Sequence, residues 1–209
     1  MACVDKESRI QRKVGTPAYA VVGHAGLVTS VHLVRPPLPG SYVVFLPVLA
    51  GPYPGAADEA EARRRVERVL EEGCDLFLDL TEAGECEPYA HLLPPHARHV
   101  RLPMRAGAVP SDGQMEAIVA AIDRFSAAEG WFLYVHDANG IGRVGTAIGC
   151  WIGCAVGLSR DPLTLLDELR RSIPRPWRSS PVLPEQRAFV RRWTHARRRS
   201  SQLVGGGSR

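Results

Sequence analysis

Apolar and polar stretches alternate along the chain from residue 41 onward, and this alternation predicts a fold class. Short apolar runs rich in β-branched and aromatic residues predict strands at 43–48, 75–80, 99–104 and 131–135. Longer segments between and after them predict helices at 58–72, 111–129 and 143–156, from Asp161 and from Pro184. Strands that alternate with helices predict an α/β domain in which helices flank a central, mostly parallel sheet of about four or five strands.

Residues with known preferences for helix ends mark the first two helices. Asp58 and Glu59 favour the positive N-terminal end of the first helix, and Gly73 follows its last turn. Ser111, followed three residues later by Gln114, has the spacing of a capping box. These signals predict where the two helices begin.

The pattern divides the chain into three parts. Residues 1–40 are expected to form a partly ordered N-terminal extension, in which β-type residues within 19–33 allow a short hairpin and 35–40 form a proline-rich hinge. Residues 41–195 are expected to form the globular domain. Residues 196–209, which are basic and then glycine-rich, are expected to be a disordered tail.

Composition and charge exclude several kinds of partner. The chain has 209 residues, enough for one domain with a substantial core, and a formal net charge of +4. Its clearest basic cluster, at 191–199, fits a solvated helix face better than a nucleic-acid surface. No apolar run is long enough to span a bilayer, and no signal-peptide pattern is visible. We therefore expect a cytoplasmic protein with no membrane or nucleic-acid partner.

The clearest chemical signal is a glycine-rich loop between the last predicted strand and an apolar helix. It runs from His136 to Arg143 and includes two glycines. Successive N–H groups in such a loop converge on one point, and the helix N-terminus adds partial positive charge there. Glycine allows a bulky anion to come close, and arginine binds two oxygens with its planar fork. We therefore predict a site for a tetrahedral oxyanion formed by Ala138, Asn139, Gly140, Ile141, Gly142 and Arg143.

The same segment resembles the signature loop of protein tyrosine and dual-specificity phosphatases. In that family the loop reads His-Cys-x-x-Gly-x-x-Arg, usually followed by Ser or Thr and then Gly, and this chain matches it at His136, Gly140, Arg143 and Gly145. Further segments that resemble the bacterial, dual-specificity-like branch lie at 41–44, 49–55, 79–82, 145–151 and 184–189. The resemblance runs from about residue 35 to about residue 195. It implies the protein tyrosine phosphatase fold and a loop-orienting role for His136.

Three positions depart from the family pattern. In the family a cysteine thiolate attacks phosphorus, whereas Asp137 occupies that position here. An aspartate normally protonates the leaving oxygen, and the matching segment 103–110 has Ala106 there. Val144 replaces the Ser or Thr hydroxyl that assists turnover. The resemblance therefore implies a loop that keeps its anion-binding groups but lacks the nucleophile, the acid and the hydroxyl.

Two functions fit this combination. The first is a pseudophosphatase, which binds a phosphate- or other oxyanion-bearing ligand without hydrolysing it. The alternative is a hydrolase of a phosphate, sulfate or related ester, in which Asp137 acts as nucleophile, general base or metal ligand. No complete set of metal ligands is visible in the sequence, so we expect no cofactor unless the alternative holds, and the oligomeric state stays open. In either case we expect the Asp137 carboxylate to accept hydrogen bonds from its own loop and to pair with Arg143.

Overall fold

The secondary structure is taken from a computed structural model, which describes residues 34–127, 131–155, 160–174 and 179–205. The hairpin expected within 19–33 lies outside the described residues. Contacts divide the chain into two units, Met1–Arg35 and Pro36–Arg209. The architecture below is that of the second unit.

Five strands and five helices make up the described part of this unit. The strands are β1 (Tyr42–Phe45), β2 (Val48–Pro52), β3 (Cys74–Asp79), β4 (Arg98–Arg101) and β5 (Phe132–Asp137). The helices are α1 (Glu59–Glu71), α2 (Asp112–Ser126), α3 (Gly142–Ala155), α4 (Pro162–Leu169) and α5 (Pro184–Gly205), with a short 3₁₀ turn at Ala90–Leu92.

The strands form one sheet in the order β1-β2-β5-β3-β4. Strand β5 lies at the centre, parallel to β2 on one side and to β3 on the other, and β4 continues the parallel set. Only the β1–β2 pair is antiparallel. The mostly parallel α/β sheet predicted from the sequence is therefore confirmed. Because the C-terminal ends of β2, β5 and β3 meet at one edge, Pro52 lies beside Asp137 and Asp79 beside His136.

The core lies between the sheet and the helices that flank it. Strand β5 contributes Leu133 and Val135, helix α2 contributes Ile118, and helix α3 contributes Ile148, all of which are fully buried. Each such side chain stabilises the fold by about 1.5–3 kcal/mol when it leaves water. Helix α3 packs against α2, α4 and α5 as well as β5. This explains why its sequence is apolar on most sides, and it fixes the helix that follows the glycine-rich loop.

The single strand predicted at 43–48 is wrong, because the chain reverses there. Strands β1 and β2 pair antiparallel across a turn at Leu46 and Pro47, with Phe45 opposite Val48. Proline has no N–H to donate to a ladder and restricts the residue before it, so one continuous strand is disfavoured at this point. As a result β2, and not a continuous 43–48 strand, lies next to β5.

Helix α5 continues past residue 195 to Gly205, so residues 196–205 are helical and not the disordered tail expected from the sequence. Arginine is a good helix former, and two arginines of this stretch anchor it to other helices. Arg197 lies 3.0 Å from Glu116 of α2 and over the ring of Trp193. Arg198 donates to the carbonyl oxygen of Gly153 in α3. None of the helices in the described ranges is long and apolar enough to cross a bilayer.

Candidate oxyanion site

The glycine-rich loop is held from outside by its carbonyl oxygens. Strand β5 ends at Asp137 and α3 begins at Gly142, so residues 138–141 form the connection. The carbonyl of Ala138 accepts from Tyr53 N at 3.5 Å, and that of Gly140 accepts from Arg170 Nη1 at 3.0 Å. The carbonyl of Ile141 accepts from the Ser180 hydroxyl. These contacts tie three loop carbonyls to the surrounding structure and help fix the loop conformation.

Gly140 is the loop position at which no other residue fits. Its φ is +69°, a left-handed conformation that side chains rarely adopt. A Cβ there would lie 2.5 Å from the backbone nitrogen of Pro52 and 2.8 Å from the carbonyl oxygen of Gly51. The loop therefore packs directly against the end of β2, and backbone atoms cannot move aside as a flexible side chain would.

Gly140→Ala is expected to destabilise the domain by about 3 kcal/mol, combining backbone strain with a clash against β2. Gly107→Ala is the matched control, because Gly107 has the same φ of +69° but nothing within 4 Å of its Cβ position. That control should cost only about 1–2 kcal/mol. Urea unfolding of the two variants measures the difference. Equal losses would show that the contact with β2 is not tight.

The Asp137 carboxylate accepts hydrogen bonds from backbone N–H groups of its own loop and of the helix start. Its Oδ1 accepts from Asn139 N at 2.8 Å and from Gly140 N at 2.5 Å, and its Oδ2 accepts from Val144 N at 2.9 Å. The residue is only 2% exposed. A buried carboxylate with three N–H donors is well satisfied as an anion. Both oxygens are already engaged, so the loop binds an anion that is part of the chain.

Arg143 pairs with Glu85 and not with Asp137, which corrects the expected ion pair. The two terminal nitrogens of Arg143 donate to the two oxygens of Glu85, and Nη1 also donates to the carbonyl oxygen of Met104 at 3.1 Å. The Arg143 side chain is 6% exposed and that of Glu85 is 22% exposed. The hydrogen bonds from Arg143 lower the pKa of Glu85. Asp137 already accepts three N–H hydrogen bonds, so the two terminal nitrogens of Arg143 are available to bind the two oxygens of Glu85.

This pairing still leaves one edge of the Arg143 guanidinium for a ligand. Glu85 and Met104 together accept both N–H groups of Nη1 and one N–H group of Nη2. Guanidinium has five N–H donors, so the Nε–H and a second Nη2–H remain without a partner among the described residues. Two adjacent N–H groups of this kind match two oxygens of a phosphate or sulfate.

His136 is buried behind the loop and holds its base. Its Nε2 lies 2.7 Å from the hydroxyl of Tyr89, and its Nδ1 lies 3.8 Å from Asp79 Oδ1. Burial lowers the pKa of His136 to about 3, so the ring is neutral near neutral pH. The rings of Tyr53 and Tyr134 also pack against it. These contacts are consistent with a loop-orienting role and keep His136 away from a ligand.

Asp79 organises the neighbouring strand ends. Its Oδ1 accepts from the N–H and hydroxyl of Thr81, and its Oδ2 accepts from Arg101 at 2.8 Å and lies 3.1 Å from His99 Nε2. Burial alone would raise the pKa of Asp79, but the hydrogen bonds from His99 and Thr81 and the neighbouring His136 lower it well below its usual range. Asp79 therefore stays ionised and links β3 to β4 beside His136.

The buried His136 is expected to make the domain less stable in mild acid. Its folded pKa of about 3 lies below the ordinary value of 6.5, so between these values the unfolded chain binds a proton that the folded chain does not. The free energy of unfolding should therefore fall by about 1.4 kcal/mol per pH unit as pH drops below 6.5. Asp79 adds its own loss only near and below pH 4, where unfolded aspartate is protonated.

Urea unfolding between pH 6.5 and 4.5 tests this dependence. His136→Gln should flatten the slope, whereas the exposed His91→Gln should not change it. If His136→Gln fails to fold, histidine NMR of the wild-type protein gives the same answer. One imidazole that stays neutral down to pH 4.5 supports the prediction, and normal titration of every histidine contradicts it.

Comparison with known proteins identifies the family. Residues 55–202 match the family model described as "PTP-SAK: Swiss Army Knife protein, DSP-PTPase phosphatase domain", a match over well more than half of the chain. The chain belongs to this family. No curated protein matches the chain significantly.

Solved structures of dual-specificity and tyrosine phosphatases share the PTP-SAK chain's fold. The active form of Tk-PTP is 22% identical, with a TM-score of 0.59 over 75% of this chain and 97% of that one. PTPMT1 in complex with PI(5)P is 19% identical, with a TM-score of 0.52 over 75% of this chain and 97% of that one. Human DUSP28 is 17% identical, with a TM-score of 0.53 over 76% and 95% of the two chains. At these identities the likeness shows the fold alone.

The segment expected to carry the family's general acid lies beside the loop and contains no acid. Residues 103–110 include no Asp or Glu, and Ala106 is exposed. The segment is held in place by Arg143 at the carbonyl of Met104 and by Gln186, which donates to the carbonyl of Ala108 at 3.0 Å. Val144, expected at the position of the family's loop hydroxyl, has a fully buried side chain that offers no polar group.

Three histidines between β3 and the end of β4, which are of a type that binds metals, lie apart from one another. His96 pairs with Asp75 at 3.4 Å and His99 with Asp79 at 3.1 Å, while His91 is exposed. Within the described ranges, no group of three or more His, Cys, Asp or Glu residues is arranged to hold a metal ion. His136 is not placed to share a metal with Asp137, because its ring nitrogens face Tyr89 and Asp79.

Glu85 is the site residue that sequence reasoning missed. The nearest segment that resembles the family, 79–82, ends three residues before it. A local pattern carries no sign that a glutamate in the loop after β3 will meet an arginine that lies 58 residues later. The one signal in the sequence was the need of a buried arginine for a carboxylate partner.

Proposed function

We propose that this PTP-SAK domain is a pseudophosphatase, an oxyanion-binding module that does not hydrolyse phosphate esters by the family's cysteine mechanism. The observation that carries the proposal is the Asp137 carboxylate, which accepts three loop N–H groups at the position of the family's nucleophile. Ala106 at the acid's position and Val144 at the hydroxyl's position also support the proposal, because neither side chain has a polar group. The replacement of the cysteine by Asp137 is part of this proposal.

The same hydrogen bonds argue against Asp137 as a nucleophile. A carboxylate attacks through an oxygen lone pair, and both Asp137 oxygens accept N–H hydrogen bonds. Such bonds stabilise the anion and reduce its tendency to attack. Attack would also bring two anions together, which in aspartyl-phosphate chemistry requires a neutralising cation. The altered hydrolase, acting on a phosphate, sulfate or related ester, is therefore the second candidate.

Binding without hydrolysis is supported by what the loop retains. Arg143 offers two N–H groups on its open edge, and the N-terminus of α3 adds partial positive charge at the same place. Glu85 holds the guanidinium in position, so little side-chain freedom is lost when an anion binds. A solved neighbour of the same fold, PTPMT1, is known in complex with a phosphorylated ligand. A phosphate- or sulfate-bearing ligand is the corresponding partner here.

Titration calorimetry with inorganic phosphate and with sulfate tests the proposal. Arg143→Ala should weaken binding at least about tenfold, because it removes a charge-assisted two-point contact. Arg63→Ala on α1, whose side chain is 53% exposed and pairs with Glu59, is the matched control and should bind as the wild type does. Thermal unfolding shows whether Arg143→Ala is folded. Wild-type binding that Arg143→Ala leaves unchanged would contradict an anion site at this loop.

A further inference from the structure

A pocket of about 440 Å³ lies next to the loop and is not explained by anion binding alone. Ala138, the first residue after Asp137, forms part of its wall. The rest of the wall comes from the segment before β1, the end of β2 and the residues after it, helix α1 and the loop after β3, and it includes Tyr53, Arg68 and Cys86. The volume is in the range of pockets that hold small organic molecules. A phosphate alone would leave most of it empty.

The pocket has an apolar part and a cationic part. The apolar part is lined by Leu38, Pro39, Pro52, Tyr53, Ala56 and Ala57. The cationic part is the face of α1 that carries Arg65 and Arg68. Arg65 donates from Nε to Glu61 Oε1 at 2.8 Å and from Nη1 to the carbonyl oxygen of Gly55. Arg68 has no acidic partner among the described residues, and its side chain lines the pocket.

The acidic residues of the pocket wall do not neutralise Arg68. Glu61 pairs with both Arg64 and Arg65, so its charge is already balanced. Glu87, in the loop after β3, forms no ion pair with Arg68 of α1 among the described residues. Arg68 therefore keeps a positive charge that can attract an anion entering the pocket.

We propose that the ligand is a small phosphate monoester with a second anionic group. Its ester phosphate binds the open edge of Arg143 at the loop, its organic part fills the pocket, and its second anion pairs with Arg68. This rests on the proposed function, since it uses the loop as the first anion site. The apolar residues around Tyr53 contact the organic part. Arg68 then distinguishes a ligand with two anionic groups from one with a single group, and it is a specificity residue and not a catalytic one.

Flexible probes test the proposal without assuming a distance between the two anion sites. Alkane-1,ω-diol bisphosphates of increasing chain length are compared with alkyl monophosphates of the same length, by calorimetry at low ionic strength, on the wild type and on Asp137→Ala. At the best length the bisphosphate should bind about tenfold more tightly than its monophosphate. Arg68→Ala should abolish this advantage and leave monophosphate binding unchanged. Arg63→Ala on the outer face of α1 should keep the advantage.

Cys86 supplies an independent readout of the same pocket. It is a free, partly buried cysteine in the wall, and burial raises the pKa of its thiol. Iodoacetamide at mildly alkaline pH, followed by peptide mass spectrometry, should label Cys86 more slowly when the bisphosphate is present. In Arg68→Ala this protection should disappear at the same probe concentration.

The possible outcomes separate this inference from the proposed function. If the bisphosphates show no advantage at any length, or keep their advantage in Arg68→Ala, the second anion site is overturned while binding at the loop stands. If neither the wild type nor Asp137→Ala binds phosphate or monophosphates, the proposed function itself fails. A length-dependent advantage that needs Arg68 and protects Cys86 supports the assignment.

Discussion

p-Nitrophenyl phosphate is expected to be hydrolysed by the wild-type protein at least about 10⁴-fold more slowly than by active members of the fold. Loss of a positioned general acid costs about 10²–10⁴ in rate, and loss of a nucleophile costs more. In the proposed pseudophosphatase, Ala106 replaces the acid and Asp137 replaces the nucleophile. The Asp137 oxygens accept three N–H hydrogen bonds, so we expect them not to act in place of the thiolate. The measurement is p-nitrophenol release, with p-nitrophenyl sulfate and added Mg²⁺ or Mn²⁺ as further conditions.

Restoring single groups should recover the reaction only in steps. Asp137→Cys supplies a thiolate beside Arg143 and should give weak turnover, and adding Ala106→Asp should raise it by about 10²-fold or more. Asp137→Ser is the matched control and should stay inactive. Wild-type turnover at a family-typical rate that survives Asp137→Asn would contradict the account. Wild-type turnover that Asp137→Asn abolishes would establish the altered hydrolase instead.

The fold and the position of the loop could be predicted because their signals are local. The apolar run that became β5, the glycines after it and the apolar helix α3 are contiguous, so strand, loop and helix follow from neighbouring residues. The Asp137 hydrogen bonds are also local, since their donors lie within seven residues of it. A carboxylate at the base of a loop with converging N–H groups has few other acceptor positions available.

What could not be predicted depends on contacts between distant segments. Glu85 and Arg143 are 58 residues apart, and only the parallel arrangement of β3 and β5 brings their loops to one edge of the sheet. The pocket likewise combines β2, α1 and two loops. The division of the first strand at Pro47 could have been predicted, because proline in the middle of an apolar run is a strong argument against one continuous strand.

Asp137→Ala is expected to tighten phosphate binding on the order of 10³-fold. The change frees the N–H groups of Asn139, Gly140 and Val144 and removes a negative charge that repels the ligand. Hydrogen bonds to a charged group contribute about 1.5–3 kcal/mol each, and a net gain of about 4 kcal/mol corresponds to this factor. Arg143 keeps its partner Glu85 in the variant, so the two-point contact to the ligand is retained.

The same substitution should make stability depend on phosphate. In phosphate-free buffer, Asp137→Ala leaves three N–H groups without their acceptor and should lower the free energy of unfolding by about 1–3 kcal/mol. Added phosphate should restore the loss by mass action, and it should affect the wild type far less. Glu82→Ala is the charge-matched control, because Glu82 is an exposed carboxylate that does not lie on the loop's N–H groups. It should change neither stability nor phosphate binding appreciably.

The most direct test of the self-occupied loop is calorimetry with inorganic phosphate on the wild type, Asp137→Ala and Glu82→Ala in one buffer. We expect weak binding by the wild type and by Glu82→Ala, and much tighter binding by Asp137→Ala. If folded Asp137→Ala binds phosphate no more tightly than the wild type, Asp137 does not occupy the anion site and the central claim is wrong.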